Sequence, residues 1–437
     1  TFVYQSDGTF TIKLTVTDDN GLSATAKKDL TILDPAKAIN VMWQKEMGGP
    51  IESTVSPALS ADGKTVYMIT DQTSTGAFDV KLYAYDTENG TQKWAFDVTA
   101  NMNELNPGGG ASMVYASPAV GPNGDVYIVV RDLKPATTEH PRALFLFAIG
   151  SNGSRKWAYK AADSNLYAVT PAIDASGNIY FGHRGKKLIV LSPAGDVVKE
   201  IALDVEVLSG MSKDGTVYFG SSKNTGYFGY DFATGTQKFV YQKDLGGTAL
   251  KGNSYTVGTD GTIYTVAELT SGGAIIALNP DGTEKWVYKT PGAIVNGGVV
   301  IGTDGTLYAN GGNTVAGEAS AGVFALNSDG SLKWHYATTE DVSNCVPIID
   351  NRGYIHIISD KAIYYIVKQD GSLLASAELG VKCTSSPVMD SRGYLYIGIE
   401  AVAGASDMVC ISSGATSYAA SAWPMKGQNP QRTGLQK

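Results

Sequence analysis

Chemistry in this chain would have to come from a short list of side chains. Of the four histidines, His335 and His356 fall inside repeated strand phrases, and His183 stands beside Arg184 near the end of a strand-like run. That basic pair could serve a polysaccharide lyase or hydrolase as base and charge neutraliser, yet no convergent partner for it is evident. Cys345, Cys383 and Cys410 form neither a CxxC pair nor a zinc-ligand spacing. Cys345 and Cys383 each lie just before an Xaa-Pro strand start in neighbouring repeats, a placement open to a disulfide or, more commonly, to two buried thiols. Neither GxSxG nor GxxxxGK(S/T) occurs.

The elements that must position these residues are repeats. One phrase recurs as KLYAYDTENGTQKWAF (81–96), FLFAIGSNGSRKWAY (145–159), GYFGYDFATGTQKFVY (226–241), AIIALNPDGTEKWVY (274–288) and GVFALNSDGSLKWHY (322–336), with weaker copies at 187–201 and 363–376. A second phrase precedes each copy, as in SPALSADGKTVYM (56–68), TPAIDASGNIYFG (170–182) and SPVMDSRGYLYIG (386–398). The alternation marks half-buried strands, and the DG and NG pairs reverse the chain. Eight such units, each of two hairpins, predict eight four-stranded blades.

Phase assigns jobs. Ala84, Ala148, Ala277 and Ala325 share a position where a small side chain lets sheets approach. Trp94, Trp157, Trp286 and Trp334 share another, with Phe239 in the fourth unit, and are expected to wedge against an adjacent blade. Sugar stacking is the competing use of such rings. Each Trp follows a Lys (Lys93, Lys156, Lys285, Lys333), as expected on an outer strand protected from edge pairing. Trp43 has the same phase with no first half before it, so 40–46 is expected to supply the outer strand of the last blade, with Cys410 at the Ala position.

Over residues 40–425 this pattern resembles the quinoprotein-like (PQQ-like) propeller repeats. Ala84-x-Asp86-x-x-Asn89-Gly90-x-x-x-Trp94 and Gly229-x-Asp231-x-x-Thr234-Gly235-x-x-x-Phe239 carry the family's tryptophan-docking motif, and WPMKGQNPQRTG (423–434) resembles a terminal segment of such chains. The resemblance implies an eight-bladed all-β propeller. It includes PQQ-dependent dehydrogenases with calcium, whose vicinal cysteine pair is missing here, as well as assembly scaffolds and surface proteins. No cofactor is expected.

Residues 1–33 alternate along two strands joined at Asp18-Asp19-Asn20-Gly21 and resemble the C-terminal part of a PKD domain, an immunoglobulin-like sandwich common on cell surfaces. The Asp cluster could bind calcium or simply turn the chain; a turn is the commoner use. Residues 34–39 read as a linker and 426–437 as a C-terminal tail.

The chain has 437 residues, 43% of them hydrophobic and 10% aromatic, enough for a large core. With 34 basic and 42 acidic residues the net charge is −8, and no basic run stands out, so a nucleic-acid partner is not expected. No run reaches the roughly 20 apolar residues of a membrane span. No signal peptide is recognisable before the abrupt start at Thr1, where a processed or truncated terminus also fits. Turns within the phrases are tight, whereas the connections between them are long, as at 71–80, 97–115, 131–143 and 311–321. By strand alternation the long ones share one face, at the mouth of the central channel, which is the default place for binding. Polar residues beside strand ends there are Glu104, Tyr115, Arg131, His183, Arg184, Glu268, Asn310, Asn344 and Lys382. The expectation is a monomeric, non-catalytic binder of a glycan or protein at the cell surface or in the periplasm.

Overall fold

The computed structural model describes residues 8–32, 39–51, 55–71, 79–107, 116–132, 143–162, 170–183, 187–203, 205, 207–221, 226–245, 255–270, 272–294, 297–312, 321–383, 385–402 and 405–436. Among them, eight four-stranded antiparallel sheets follow one another in sequence, and the inner strands of the first seven touch in succession. Blade 1 is Ala58–Leu59, Thr65–Ile69, Lys81–Asp86 and Gln92–Asp97, counted from the axis outwards. The six following blades repeat that order.

Blade 8 is different. Its three inner strands come from the C-terminal end of the propeller, and its outer strand is Asn40–Met47, paired antiparallel with Ala405–Ser412 so that Trp43 faces Cys410. The ring is therefore closed by chain from both ends, as the phase of Trp43 predicts. Closure leaves no blade without two neighbours to bury its faces.

Most seams use the same contact. Trp94 donates from Nε1 to the Ser151 carbonyl at 2.8 Å, and Trp157, Trp286 and Trp334 donate to Pro193, Ser328 and Gln369 at 3.0 Å. Each indole lies over the glycine of the neighbouring turn, where a Cβ on Gly153, Gly195 or Gly330 would come within 2.7 Å of the ring. Those glycines also have φ between 83° and 93°, so two independent constraints exclude side chains. The rings are packing wedges. Phe239 covers Gly282 in the same manner but lacks the donor.

Two seams depart from the pattern. Lys199 occupies the wedge position of blade 3; its ammonium donates to the Phe232 carbonyl at 2.8 Å and lies 4.8 Å from the Phe232 ring. Ala375 occupies it in blade 7, because blade 8 takes its outer strand from the N-terminal side and has no turn there to cover.

The lysines beside the tryptophans do more than guard an edge. Lys93 donates to the Lys64 carbonyl at 2.7 Å, Lys156 pairs with Asp125 at 2.7 Å, and Lys333 reaches Thr306 Oγ1 at 2.9 Å. Each lies on the outer strand, as expected, and also ties that strand back across its own blade to the first hairpin turn.

Residues Gly8–Thr17 (β1) and Ser23–Ile32 (β2) form a separate two-stranded ribbon with a continuous register from Gly8↔Ile32 to Thr17↔Ser23. The Asp18 carboxylate accepts the amides of Asn20 at 3.0 Å and Leu22 at 2.8 Å, the bonding of a tight Asx-type turn. No second sheet is described against this ribbon.

Candidate binding face

Strand alternation puts the tight turns on one face and the long connections on the other. The turn face is closed. Residues 419–436 run beneath the inner strands and accept from them one by one: Leu59 donates to Pro430, Val120 to Gln431, Ile173 to Thr433, Met211 to Gly434, Ile301 to Trp423 and Ile349 to Pro424, all between 2.8 and 3.0 Å. Trp423 is 1% exposed. Residues 426–436, read as part of a tail, belong with 419–425 to a plug seated on the ring, which satisfies inner-strand amides that would otherwise face the channel unpaired.

A second belt lies at the other end of the inner strands. Ser386 donates its amide to Ser56 Oγ at 3.1 Å, Ser56 to Ser117 Oγ at 3.0 Å, and Ser117 to Thr170 Oγ1 at 2.9 Å; Val346 donates to Ser386 Oγ at 2.9 Å. This hydroxyl relay links blades 7, 8, 1, 2 and 3. Its sequence signal was present in the repeated Ser-Pro and Thr-Pro pairs, where proline leaves the preceding residue extended and its hydroxyl free to bridge.

The sequence-predicted residues separate into sectors. Asn310 is fully buried, donates from Nδ2 to the Cys345 carbonyl at 2.9 Å, and so fastens blade 6 to the chain leading into blade 7. Its Oδ1 is buried without a partner, as are Ser343 Oγ and Asp360 Oδ1. Asn344 belongs to the same turn, and Asp360 donates its amide to the Asp341 carbonyl at 2.7 Å. Lys382 is exposed one residue before Cys383 and exchanges backbone hydrogen bonds with Glu400. Asn310, Asn344 and Lys382 thus share the sector of blades 6 to 8.

Glu104 stands apart. It sits on Val98–Leu105 (α1), a helix that sequence reading assigned to a loop, and it binds Arg155 of blade 2 at 2.6 Å. The Arg155 guanidinium holds the Glu104 carboxyl below its ordinary range. Its role is to hold α1 against an outer strand. The helix starts because Asp97 caps it, its carboxylate accepting the Ala100 amide at 2.7 Å. Just after α1, Asn106 donates to the buried Asp132 at 2.9 Å and accepts from Lys160 at 2.7 Å, a network that bulk hydropathy could not reveal.

Arg131 and Glu268 are half-buried at strand ends in blades 2 and 5. His183 ends the strand Ile179–His183, and its side chain lies outside the described residues together with Tyr115 and Arg184.

Little here is activated for covalent chemistry. All three cysteines are free and buried; burial pushes the Cys345 and Cys410 thiols up to about 12 and Cys383 further still. His335 stacks on Phe324 with centroids 4.2 Å apart, and burial lowers its pKa. His356 is fully buried and bonds to Asp350 at 3.1 Å, the place where Tyr396 bonds to Asp390 at 3.0 Å in the next blade. The histidine substitutes for a repeat tyrosine, as its phase suggested. Among the described residues no group of three or more His, Cys, Asp or Glu side chains is arranged to hold a metal ion.

The geometry defines an eight-bladed β-propeller with residues 419–436 seated on its turn face. Residues 212–382 and 251–419 match the family model PQQ_2, described as outer membrane protein assembly factor BamB. Among solved structures, BamB from Moraxella catarrhalis is similar at 14% identity and a TM-score of 0.52, covering 85% of this chain and 97% of that one. The Dos1 propeller is similar at 10% identity and a TM-score of 0.62, covering 87% and 97%. The C-terminal WD40 domain of Sif2 gives 9% identity and a TM-score of 0.59, covering 85% and 97%. A search of curated protein sequences finds no match. No described helix is long and apolar enough to cross a membrane.

Proposed function

We propose that this chain is a non-catalytic binding scaffold of the bacterial envelope that takes a protein partner on its loop-bearing face. The observation that carries the reading is the plug. With the turn-side mouth occupied by residues 419–436, the opposite mouth, towards which strand alternation directs the long connections and where the blade 6 to 8 sector lies, is left for a partner. The match to a family described as an assembly factor for outer membrane proteins supports a protein partner and a periplasmic setting. A glycan on the same face, and display at the cell surface, belong to the same proposal in a weaker form.

The ribbon fits it as a PKD-like module. Leu14 and Val16 are 62% and 60% exposed on β1, and a two-stranded ribbon is not stable alone in water, which supports a second sheet packed against that face.

The test compares three forms of the protein as bait for detergent-solubilised envelope proteins. Charge reversal on the loop face (Glu268→Lys with Lys382→Glu) should abolish capture of a partner that the unaltered chain and a turn-face control (Lys64→Glu with Lys213→Glu) both retain. Loss confined to the turn-face control, or no selective capture by the unaltered chain, would refute the reading.

A further inference from the structure

Blade 7 meets its next neighbour differently from every other blade. In blade 1, Tyr67, Ala84 and Trp94 stand side by side across three strands, and the two rings lie 5.7 Å apart. Tyr308, Ala325 and Trp334 repeat the arrangement in blade 6, again with the rings 5.7 Å apart. In blade 7 the same three stations hold His356, Ile366 and Ala375. Both rings of the pair are gone. His356 bonds instead to Asp350 at 3.1 Å and to the Tyr364 hydroxyl, within its own blade. Blade 3 at least keeps a cation, Lys199, at the wedge station; blade 7 has neither ring nor charge there.

The seam between blades 7 and 8 is closed by other means. Ile358 and Ile366 share an apolar cluster with Ile397 and Val409 of blade 8. Cys345 and Cys383, 2% and 4% exposed, belong to the same cluster at the loop end of the seam. Two backbone amides cross there: Cys383 donates to the Asp360 carbonyl and Val346 to Ser386 Oγ, both at 2.9 Å. The Cys383 thiol lies 3.5 Å from the Gly398 carbonyl, and burial first, then the neighbouring Cys345, raise its pKa. At the turn end, Asn351 donates its amide to the Ser417 carbonyl at 3.0 Å and accepts the Thr416 amide at 3.1 Å, while Arg352 Nη2 donates to the Ser413 carbonyl at 3.1 Å. The chain leading from blade 8 into the plug is thus fastened beneath blade 7.

A wedge ring buries roughly 150–250 Å². Separating two blade faces is less costly where that burial was never made. We propose that the ring yields first at the seam of blades 7 and 8, which opens towards the loop-bearing face on a hinge formed by residues 413–417 and the seated plug. Opening uncovers apolar surface beside Lys382 and brings Cys345 and Cys383 to solvent. Cys410 stays covered, because it stands opposite Trp43 in the wedged seam of blades 8 and 1.

The experiment is labelling of the intact protein with iodoacetamide under native conditions, each cysteine followed by peptide mass spectrometry. A buried thiol reacts only from conformers that expose it, so the rates report opening. Cys345 and Cys383 should label together, roughly tenfold or more faster than Cys410, which waits for global unfolding. Gly153→Ala, at the seam of blades 1 and 2, destabilises the closed and the opened ring alike. It should speed Cys410 by about thirtyfold or more and leave Cys345 and Cys383 unchanged. Should that variant fail to fold, low urea makes the same distinction, since labelling of Cys410 should rise steeply with denaturant and that of the other two only weakly. One common rate for all three cysteines, or Cys345 and Cys383 accelerating in step with Cys410 in Gly153→Ala or urea, overturns the proposal.

Discussion

The indole of Trp43 covers Gly90 across the junction of blades 8 and 1: a Cβ on the glycine would lie 2.7 Å from the ring, and Trp43 Nε1 donates to the Thr87 carbonyl at 3.2 Å. Trp43 comes from the first strand of the propeller and Gly90 from its first blade, so the ring is closed by the same wedge that most of its seams use. Glycines under a wedge should therefore respond differently from glycines in open turns. Gly153→Ala is expected to cost about 2–4 kcal/mol, combining left-handed backbone strain with overpacking of Trp94. Gly63→Ala has only the strain, with nothing within 4 Å of its Cβ, and should cost about 1 kcal/mol. Urea unfolding of the two variants measures the difference; equal losses would mean the wedge adds nothing.

Phe239 is the wedge without a donor. Phe239→Trp should restore the hydrogen bond that the other seams make and stabilise the protein by about 0.5–1.5 kcal/mol, provided the ring fits over Gly282. Thermal unfolding reads the result. A loss would show that the blade 4 to 5 seam is narrower than its counterparts.

Acid stability should depend on Asp350. Burial raises its pKa, but hydrogen bonds and charge from His356 and Arg352 outweigh that and bring it down to about 2. A carboxyl depressed in the folded state stabilises the protein above its unfolded pKa, and the contribution is lost as pH falls from about 4 through 2. Full expression of that shift is worth about 2 kcal/mol. His356→Phe removes one partner and should move the acid-unfolding midpoint upward by several tenths of a pH unit, whereas His356→Tyr, which restores the repeat residue, should move it less. Acid titration followed by tryptophan fluorescence distinguishes them.

Much of this architecture was legible because repetition multiplies weak signals. One Trp at 94 says little; Trp at 43, 94, 157, 286 and 334 in one phase fixes a strand, its face and its neighbour. Lys199 and Ala375 occupy the same phase but were unreadable, since their job depends on what the adjacent blade presents. The plug was hidden for a different reason: its bonds join Leu59 to Pro430 and Met211 to Gly434, partners hundreds of residues apart that no periodicity links. Site residues were least legible. Glu104 and Asn310 were chosen for polarity near strand ends, and polarity does not distinguish a residue that binds a ligand from one that holds α1 or a blade in place.

The plug gives the most direct test of the account, because a ring sealed on one side is what leaves the loop-bearing face as the working surface. Native-state hydrogen exchange should show the amides of Leu59, Val120, Ile173, Met211, Ile301 and Ile349 exchanging together, only on global unfolding. In a chain truncated after Ser417 all six should lose protection while the amides of the middle strands keep theirs. Six fast-exchanging amides in the intact protein, or protection unchanged by the truncation, would contradict it.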